Sequence, residues 1–314
     1  MVFTFVDLCA GIGGFHIACK RQRGVCVGAV EIDAFAREVY FNNHDELPES
    51  DVNTMILPRG KKVDLVCFGN PCQSFSWIGL RKGLKDARGK LFFAICAYLE
   101  SSGAKCFIME NVKSIMYING GKDFDRICAL LKRIGYNVSY EVINAQDSGL
   151  PQHRERVFIV GHRSKVFTFP KKKETVILRP LRLFLDPGPP SEKLITDRFA
   201  EFDLTRKPDR NDKSGFVIRA QFNRYTEKRL FSSDGSIGTV MSSHSPFIYD
   251  ERYGVSRHLS TSELLRCHGI RTSELRFPER TSRTRALKYI GNAVCPPVVA
   301  DIIGEMQRQG LIPR

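Results

Sequence analysis

The chain has ten cysteines, yet none stand as a Cys-x-x-Cys pair and none pair with histidines at zinc-ligand spacing. Its first residues read as a strand rather than a secretion signal, so reduced thiols are expected. A disulfide framework or a metal site is not. No apolar run approaches the length of a membrane span, so no membrane partner is expected. Tryptophan occurs once, at Trp77, and neither an internal repeat nor a long low-complexity tract is present. Acidic charge is scarce: 34 Asp and Glu face 48 Lys and Arg, a formal net charge of +14. Such an excess concentrates polyanions and points to nucleic acid, although basic charge also serves solubility alone. What remains is ordinary for a folded protein, 42% hydrophobic over 314 residues, enough for one large domain and a smaller one. Nothing in the sequence marks an assembly interface, and a monomer is expected.

Apolar runs at Phe3–Leu8, Val25–Val30, Val63–Phe68, Lys105–Met109 and Val157–Val160 read as strands. Gly14–Arg21, Ala34–Asn42, Leu91–Ser101 and Phe124–Ile134 read as helices between them. Strands alternating with helices predict parallel strands joined by crossovers, a doubly wound, Rossmann-like α/β sheet. The pattern stops near Pro170-Lys171-Lys172-Lys173 and gives way to polar sequence rich in Pro, Arg and Asp. It resumes at Ser260-Thr261-Ser262-Glu263, a capping-box helix start. Residues 1–170 with 284–314 are therefore expected to form the large domain, and 171–283 a smaller β-rich domain with its hinge.

Two loops of the large domain carry chemistry. Asp7 ends the first strand and Gly11, Gly13 and Gly14 open the first helix, where glycines permit a tight turn and close approach of a ligand. Glu31 ends the second strand twenty residues after Gly11, where an acid can take ribose hydroxyls. The spacing Gly-x-Gly-Gly counts against a dinucleotide. The second loop holds Cys67-Phe68-Gly69-Asn70-Pro71-Cys72-Gln73-Ser74-Phe75-Ser76, with a thiol at a strand end behind a rigid proline, exposed and open to activation. Read locally, each feature has a plainer alternative. Cys72 is then one packed thiol among ten, Glu110 caps a turn, Asp51 is a solvated loop acid, and Gln152–Arg156 is a solvated strand face.

The ordered set decides otherwise. Asp7-Leu8-Cys9-Ala10-Gly11-Ile12-Gly13-Gly14-Phe15, Pro71-Cys72-Gln73, Glu110-Asn111-Val112, Gln152-His153-Arg154-Glu155-Arg156 and Gly291-Asn292-Ala293-Val294-Cys295-Pro296-Pro297 follow one another along nearly the whole chain. That set resembles the DNA cytosine-5 methyltransferase family, of the compact bacterial and phage type. The resemblance implies S-adenosylmethionine as cofactor, released as S-adenosylhomocysteine. Its site would comprise the loop Asp7, Cys9, Gly11, Gly13, Gly14 with Pro71; Glu31, Ile32, Asp51 and Val52 at the adenosine; and Leu91, Asn292 and Val294 at the methionine portion. Cys9 departs from the family, which has Phe there, with a loss of apolar contact expected.

The resemblance also implies the catalytic set. Cys72 is the nucleophile that adds to carbon 6 of cytosine, Glu110 holds N3 and the exocyclic amine, and Arg156 contacts O2. Arg154, two residues away and expected on the same strand side, would orient Glu110 or its neighbours. For its role Glu110 would be protonated when the base is bound, through burial in an apolar site. Double-stranded DNA is the implied partner, with the target base flipped out of the stack. Residues 74–90 read as a clamp on the DNA, with Gln73, Ser76, Trp77, Arg81 and Arg88 as contacts and Trp77 as a wedge. Arg219, Gln221, Asn223, Arg224 and Thr239 are the expected readers in the middle segment. A tRNA cytosine-5 methyltransferase shares the catalytic set and is the alternative, but the long irregular middle segment favours DNA. A catalytically dead DNA-binding protein and a nicotinamide dehydrogenase explain fewer of these blocks.

Overall fold

Valine, phenylalanine and leucine at Thr4–Leu8 (β1) are buried on both faces, the signature of a strand inside a sheet covered on both sides. The computed structural model describes residues 2–53, 55, 62–69, 87–170, 178–190, 195, 199, 202, 204, 215–221 and 229–314, the side chains of 87–90 excepted. Strand β1 leads through the glycine loop into α1 (Gly14–Arg21), then β2 (Val25–Val30), α2 (Ala34–His44), β3 (Leu65–Gly69), α3 (Ala87–Ser101) and β4 (Cys106–Val112). The chain continues with α4 (Lys122–Arg133), β5 (Asn137–Asn144) and β6 (Glu155–His162). The six strands form one sheet in the order β2-β1-β3-β4-β6-β5. Pairs β1–β2, β1–β3 and β3–β4 are parallel, as the alternation predicts.

The structure differs from the prediction in three details. Strand β6 runs antiparallel to β4, so the sheet is mixed. Strand β5 lies at the edge with mostly half-buried residues, and its apolar signal is correspondingly weak. Strand β4 continues past Met109 through Glu110, because Glu110 still pairs with Gly69 on one side and Phe158 on the other. Helix α2 begins where Asp33 accepts hydrogen bonds from the backbone N–H groups of Phe35 and Ala36, both at 3.0 Å. Such a cap contributes about 1 kcal/mol. The main apolar cluster joins sheet residues Val6, Val66, Phe68, Phe107, Met109 and Ile159 to Phe92, Ile95 and Leu99 of α3 and Ile127 and Leu131 of α4.

The chain divides into two compact units. The first comprises Met1–Ile143, Glu155–Lys171 and Pro296–Arg314, and the second Asn144–Arg154 and Lys172–Cys295. This division departs from the expected one at the returning segment. Strands β7 (Ile218–Gln221), β8 (Arg229–Ser232), β9 (Phe247–Asp250) and β10 (Val255–Arg257) of the second unit form a small sheet in the order β10-β9-β8-β7. Helix α5 (Thr261–Cys267) starts at the capping box of Ser260 and Glu263. Helix α6 (Arg283–Asn292) packs with this second unit. Arg283 donates to the Leu259 carbonyl and the Ser245 hydroxyl, each at 2.7 Å. Only α7 (Pro296–Arg308) and the tail return to the first unit, where Gln307 reaches the Gln22 carbonyl at 3.3 Å. Within Arg283–Arg308 one 18-residue window reaches a mean hydropathy of 1.2, enough by length and composition alone for a membrane span. That window is nonetheless 72% buried within the protein, and the stretch breaks at Ala293, whose ψ of 148° ends α6.

Candidate active site

Gly11 and Gly13 are glycines for different reasons. Both have positive φ, +56° and +90°. Around Gly11 a side chain would meet nothing within 4 Å, so that side of the loop is open to a ligand. At Gly13 a Cβ would fall 2.1 Å from Nε2 of His44, so this glycine accommodates a ring of its own protein. Cys9 also lies in the left-handed region, at φ 55°. Burial pushes its thiol up to about 12, with Glu31 and Asp7 adding to the effect, and it is not a thiolate.

Glu31 ties this loop to the next. One carboxylate oxygen accepts from the Gly11 N–H and the other from the Asp33 N–H, both at 2.8 Å. Each oxygen keeps a lone pair for a hydroxyl donor. The next residue, Ile32, is 84% exposed, an unusual position for a large apolar side chain. Asp51 is exposed and accepts from the backbone and side chain of Asn53, while Val52 is buried. Leu91, half-buried on α3, packs against the main cluster. An open glycine loop, a sugar-height carboxylate and an exposed apolar residue fit a nucleoside-bearing cofactor without a pyrophosphate.

The second loop is approached from β4. Glu110 pairs with Gly69, the last residue of β3, and its Oε2 lies 3.7 Å from where a Gly69 Cβ would be. Three residues beyond Gly69 comes Cys72. In the antiparallel β4–β6 ladder Val112 faces Arg156, which makes Arg156 and Glu110 diagonal neighbours on one face. Their side chains meet as an ion pair, Arg156 Nε to Glu110 Oε1 at 3.2 Å, with 17% and 13% of the side chains exposed. Glu110 therefore faces a guanidinium, not the apolar pocket expected for it. On the other face Lys113 pairs with Glu155 at 2.9 Å.

Arg154 does something other than orient Glu110. Strand β6 begins at Glu155, so strand alternation does not carry back to Arg154. Its buried guanidinium donates to the carbonyls of Val240 at 3.0 Å, Gly291 at 3.1 Å and Ala293 at 3.0 Å. This arginine holds the second unit's own segments together.

Beneath the glycine loop lies a group of side chains that sequence reading did not single out. His16 of α1 is buried, its Nδ1 hydrogen-bonded to the Tyr40 hydroxyl at 2.7 Å and its backbone N–H donating to Asp7 at 3.2 Å. His44 stacks on His16 with ring centroids 4.2 Å apart and planes 16° from parallel. Burial first, then the other histidine and Lys20, lowers His16 to about 3. Burial likewise lowers His44 to about 4. Asp7 is fully buried and burial raises it well above its usual range. Both histidines are neutral near pH 7. No sequence spacing marks the two histidines, because they lie on different helices 28 positions apart.

In the second unit, Arg219 forms a bidentate pair with Glu251, donates to the Leu204 carbonyl at 3.1 Å and stacks over Tyr249. Gln221 accepts from Arg229 Nε at 3.0 Å. Thr239 donates to the His153 carbonyl at 2.8 Å. Arg219 and Thr239 thus serve the unit's own scaffold in this structure. Asn292 is the last residue of α6, and Val294 is buried three residues after Gly291. Arg257, 2% exposed, bonds both Asp250 and Glu263 through its guanidinium. Pro71, Cys72, Gln73, Ser76, Trp77, Arg81, Asn223 and Arg224 lie outside the described residues, as does the side chain of Arg88. Among the described residues no group of three or more His, Cys, Asp or Glu could hold a metal ion.

The mixed six-stranded sheet, glycine loop and carboxylate–guanidinium pair at a strand end are those of an α/β methyltransferase domain. The profile of the C-5 cytosine-specific DNA methylase family matches residues 3–308, and the chain belongs to that family. It is similar to the type II methyltransferase M.BsuFI of Bacillus subtilis, 32% identical over 98% of this chain and 73% of that protein. The type II methyltransferase M.HhaI of Haemophilus parahaemolyticus is 31% identical over 92% of this chain and 90% of its own length. Among solved structures, Dnmt2 methyltransferase of S. pombe shares the fold with a TM-score of 0.71 at 16% identity, covering 98% and 99% of the two chains. A putative DNA modification methyltransferase encoded within an E. coli prophage does so with a TM-score of 0.70, at 17% identity over 98% and 99%. The chain is a DNA cytosine-5 methyltransferase with a mixed α/β fold.

Proposed function

We propose that this enzyme transfers a methyl group from S-adenosylmethionine to carbon 5 of a flipped cytosine within a specific sequence of double-stranded DNA. The observation that carries the reading is the Glu110–Arg156 pair, with Glu110 in register opposite Gly69, three residues before Cys72. Cytosine presents its exocyclic amine, N3 and O2 along one edge. A carboxyl beside a guanidinium matches that edge, the carboxyl taking the amine and N3, the guanidinium taking O2. Carbon 6 is then the atom left for Cys72.

Bound S-adenosylmethionine supplies an electrophilic methyl on a sulfonium sulfur; Asp7, Gly11, Gly13, Gly14, Glu31, Ile32, Asp51, Val52, Leu91, Asn292 and Val294, with Pro71, are the residues proposed to hold it. The Cys72 thiolate adds to carbon 6, which breaks the ring's aromaticity and makes carbon 5 nucleophilic. Glu110, protonated for the step, donates to N3 and offsets the charge arising in the ring, while Arg156 fixes O2. Once carbon 5 is methylated, loss of its proton lets the thiolate leave. Stacking covers the ring faces through which carbons 5 and 6 react, hence the flipped base, and residues 74–90 with Trp77 are the proposed clamp. The first unit is the catalytic domain and the second the target-recognition domain. The type II names of the relatives support a place in restriction–modification; phage self-protection, a cytoplasmic setting and a monomeric state are part of the proposal. The type II relatives at about 30% identity favour DNA over tRNA.

The test is transfer of labelled methyl groups to duplex DNA and, in parallel, to tRNA. Label in DNA that vanishes in Cys72→Ser supports the reading, and bisulfite sequencing of the product gives the recognition site. Label in tRNA alone, or label retained by Cys72→Ser, overturns it.

A further inference from the structure

The side chains under the glycine loop have no part in the chemistry above, yet they fix the loop's shape. His44 ends α2, and its ring occupies the space that a Gly13 side chain would need. Its Nε2 faces the Ile12 carbonyl at 3.4 Å, long for a hydrogen bond and directed at the residue between the two glycines. On its other face the ring lies on His16, which is anchored by the Tyr40 hydroxyl. Tyr40 in turn meets both rings edge-on, at 5.3 and 4.7 Å. The stack thus runs from the loop backbone through His44 and His16 to the body of the unit, where Phe5 of β1 closes it edge-on at 5.3 Å.

The loop needs such a support. Cys9, Gly11 and Gly13 all hold positive φ, strained for Cys9 and open to many alternatives for the two glycines, so contacts from outside the loop must fix its shape. From above, Glu31 holds the Gly11 N–H. From below, His44 is the group in contact with Ile12 and Gly13. A loop held from one side only would sample other shapes and bind its ligand with that fraction lost.

We propose that His44 is a positioning residue for the cofactor loop, seating Ile12 and Gly13 in the shape that receives S-adenosylmethionine. The inference rests on the methyl-donor reading of the loop. Three variants separate packing from hydrogen bonding: His44→Ala removes both, His44→Phe keeps the stack on His16 without the donor, and His44→Gln keeps a donor without the aromatic face.

The experiment measures S-adenosylhomocysteine binding by calorimetry and, on the protein without ligand, amide hydrogen exchange at Ile12–Phe15. For His44→Ala we expect Kd to rise about tenfold or more and loop exchange to quicken, with His44→Phe showing a smaller rise of about threefold. At saturating cofactor, kcat changes less than about twofold in His44→Phe, because the chemistry at Glu110 and Arg156 is untouched. Unchanged Kd and unchanged loop exchange in both folded variants overturn the proposal. Wild-type protein that fails to bind S-adenosylhomocysteine would instead sink the methyl-donor reading; loop exchange in the ligand-free variants still decides whether His44 seats the loop. His44→Gln binding better than His44→Phe assigns the effect to the Ile12 contact; the reverse order assigns it to the stack.

Discussion

The two units are held together by different physics. The first is organised by one large apolar cluster spanning the sheet, α3 and α4. The second has a small apolar cluster of Phe199, Ala220, Leu230 and Phe247, and around it a lattice of arginines bonded to acids and carbonyls. Arg257 bonds Asp250 and Glu263, Arg252 bonds Asp250, Arg266 bonds Asp186, and Arg219 bonds Glu251. Apolar burial is non-directional and stabilises any well-packed arrangement, whereas a guanidinium accepts only planar partners at fixed angles. The sheet unit thus gains a rigid platform for two loops, and the second unit gains a defined geometry from few apolar residues.

That contrast makes the second unit the more brittle to a single charge deletion. Arg257→Ala leaves buried Glu263 without its guanidinium and Asp250 with Arg252 alone, and should cost about 3–5 kcal/mol, read by urea denaturation. A loss below about 1 kcal/mol would mean that the lattice is incidental. In the first unit the largest single effect should fall on rate instead. Arg156→Ala is expected to lower kcat/KM by roughly 10²–10³-fold with the melting temperature nearly unchanged, if its guanidinium meets developing charge on the base. A fall in both together would make the pair with Glu110 structural.

Acid separates the units as well. His16 and His44 bind a proton more readily once unfolded, since burial lowers them to about 3 and about 4 in the fold. Their contribution is complete above pH 6.5 and is lost as pH falls toward 4. Asp250 is desolvated by burial, yet hydrogen bonds from Arg252 and Arg257 hold it below 3.8. Its contribution persists until pH drops below 3.8. Buried Asp7 runs in the opposite sense to the histidines, because raising it penalises the fold as pH climbs. In an Asp7→Asn background, amide protection relative to the intrinsic exchange rate should fall in the first unit before the second as pH drops from 6.5 to 4. Equal loss in both would remove the distinction. Smaller effects complete the series. Asp33→Ala should cost about 1 kcal/mol through the α2 cap. Lys113→Ala should cost less than about 0.5 kcal/mol, since its pair with Glu155 is solvent-exposed. Thermal melting reads both.

Much of the first unit was legible in the sequence. Val25–Val30 and Gly14–Arg21 fall where glycines and apolar runs place them, and the start of α2 follows Asp33. Strand β5 was missed although Val138, Tyr140 and Val142 alternate with Ser139 and Glu141, because an edge strand buries little of its alternating face. Glu110 was read as lying after its strand, since an apolar run ends at Met109 while the ladder does not. The identity of Glu110's partner could not be read either. It depends on β6 running antiparallel, which sets Arg156 and not Arg154 diagonal to Glu110. The seat under the glycine loop was hidden for a related reason, being built from α1 and α2 side chains 28 positions apart.

For anyone wishing to redirect which DNA sequence this enzyme modifies, the arginine lattice marks a boundary. Asp186, Asp250, Arg257 and Glu263 are the joinery of the second unit, each bonded to another member or to its neighbours. If the second unit reads DNA as proposed, replacements that leave these four in place keep the frame on which new reading side chains can be mounted. Exchanges that sever Arg257 from its carboxylates trade specificity for misfolded protein, and libraries built across that line will be dominated by insoluble members.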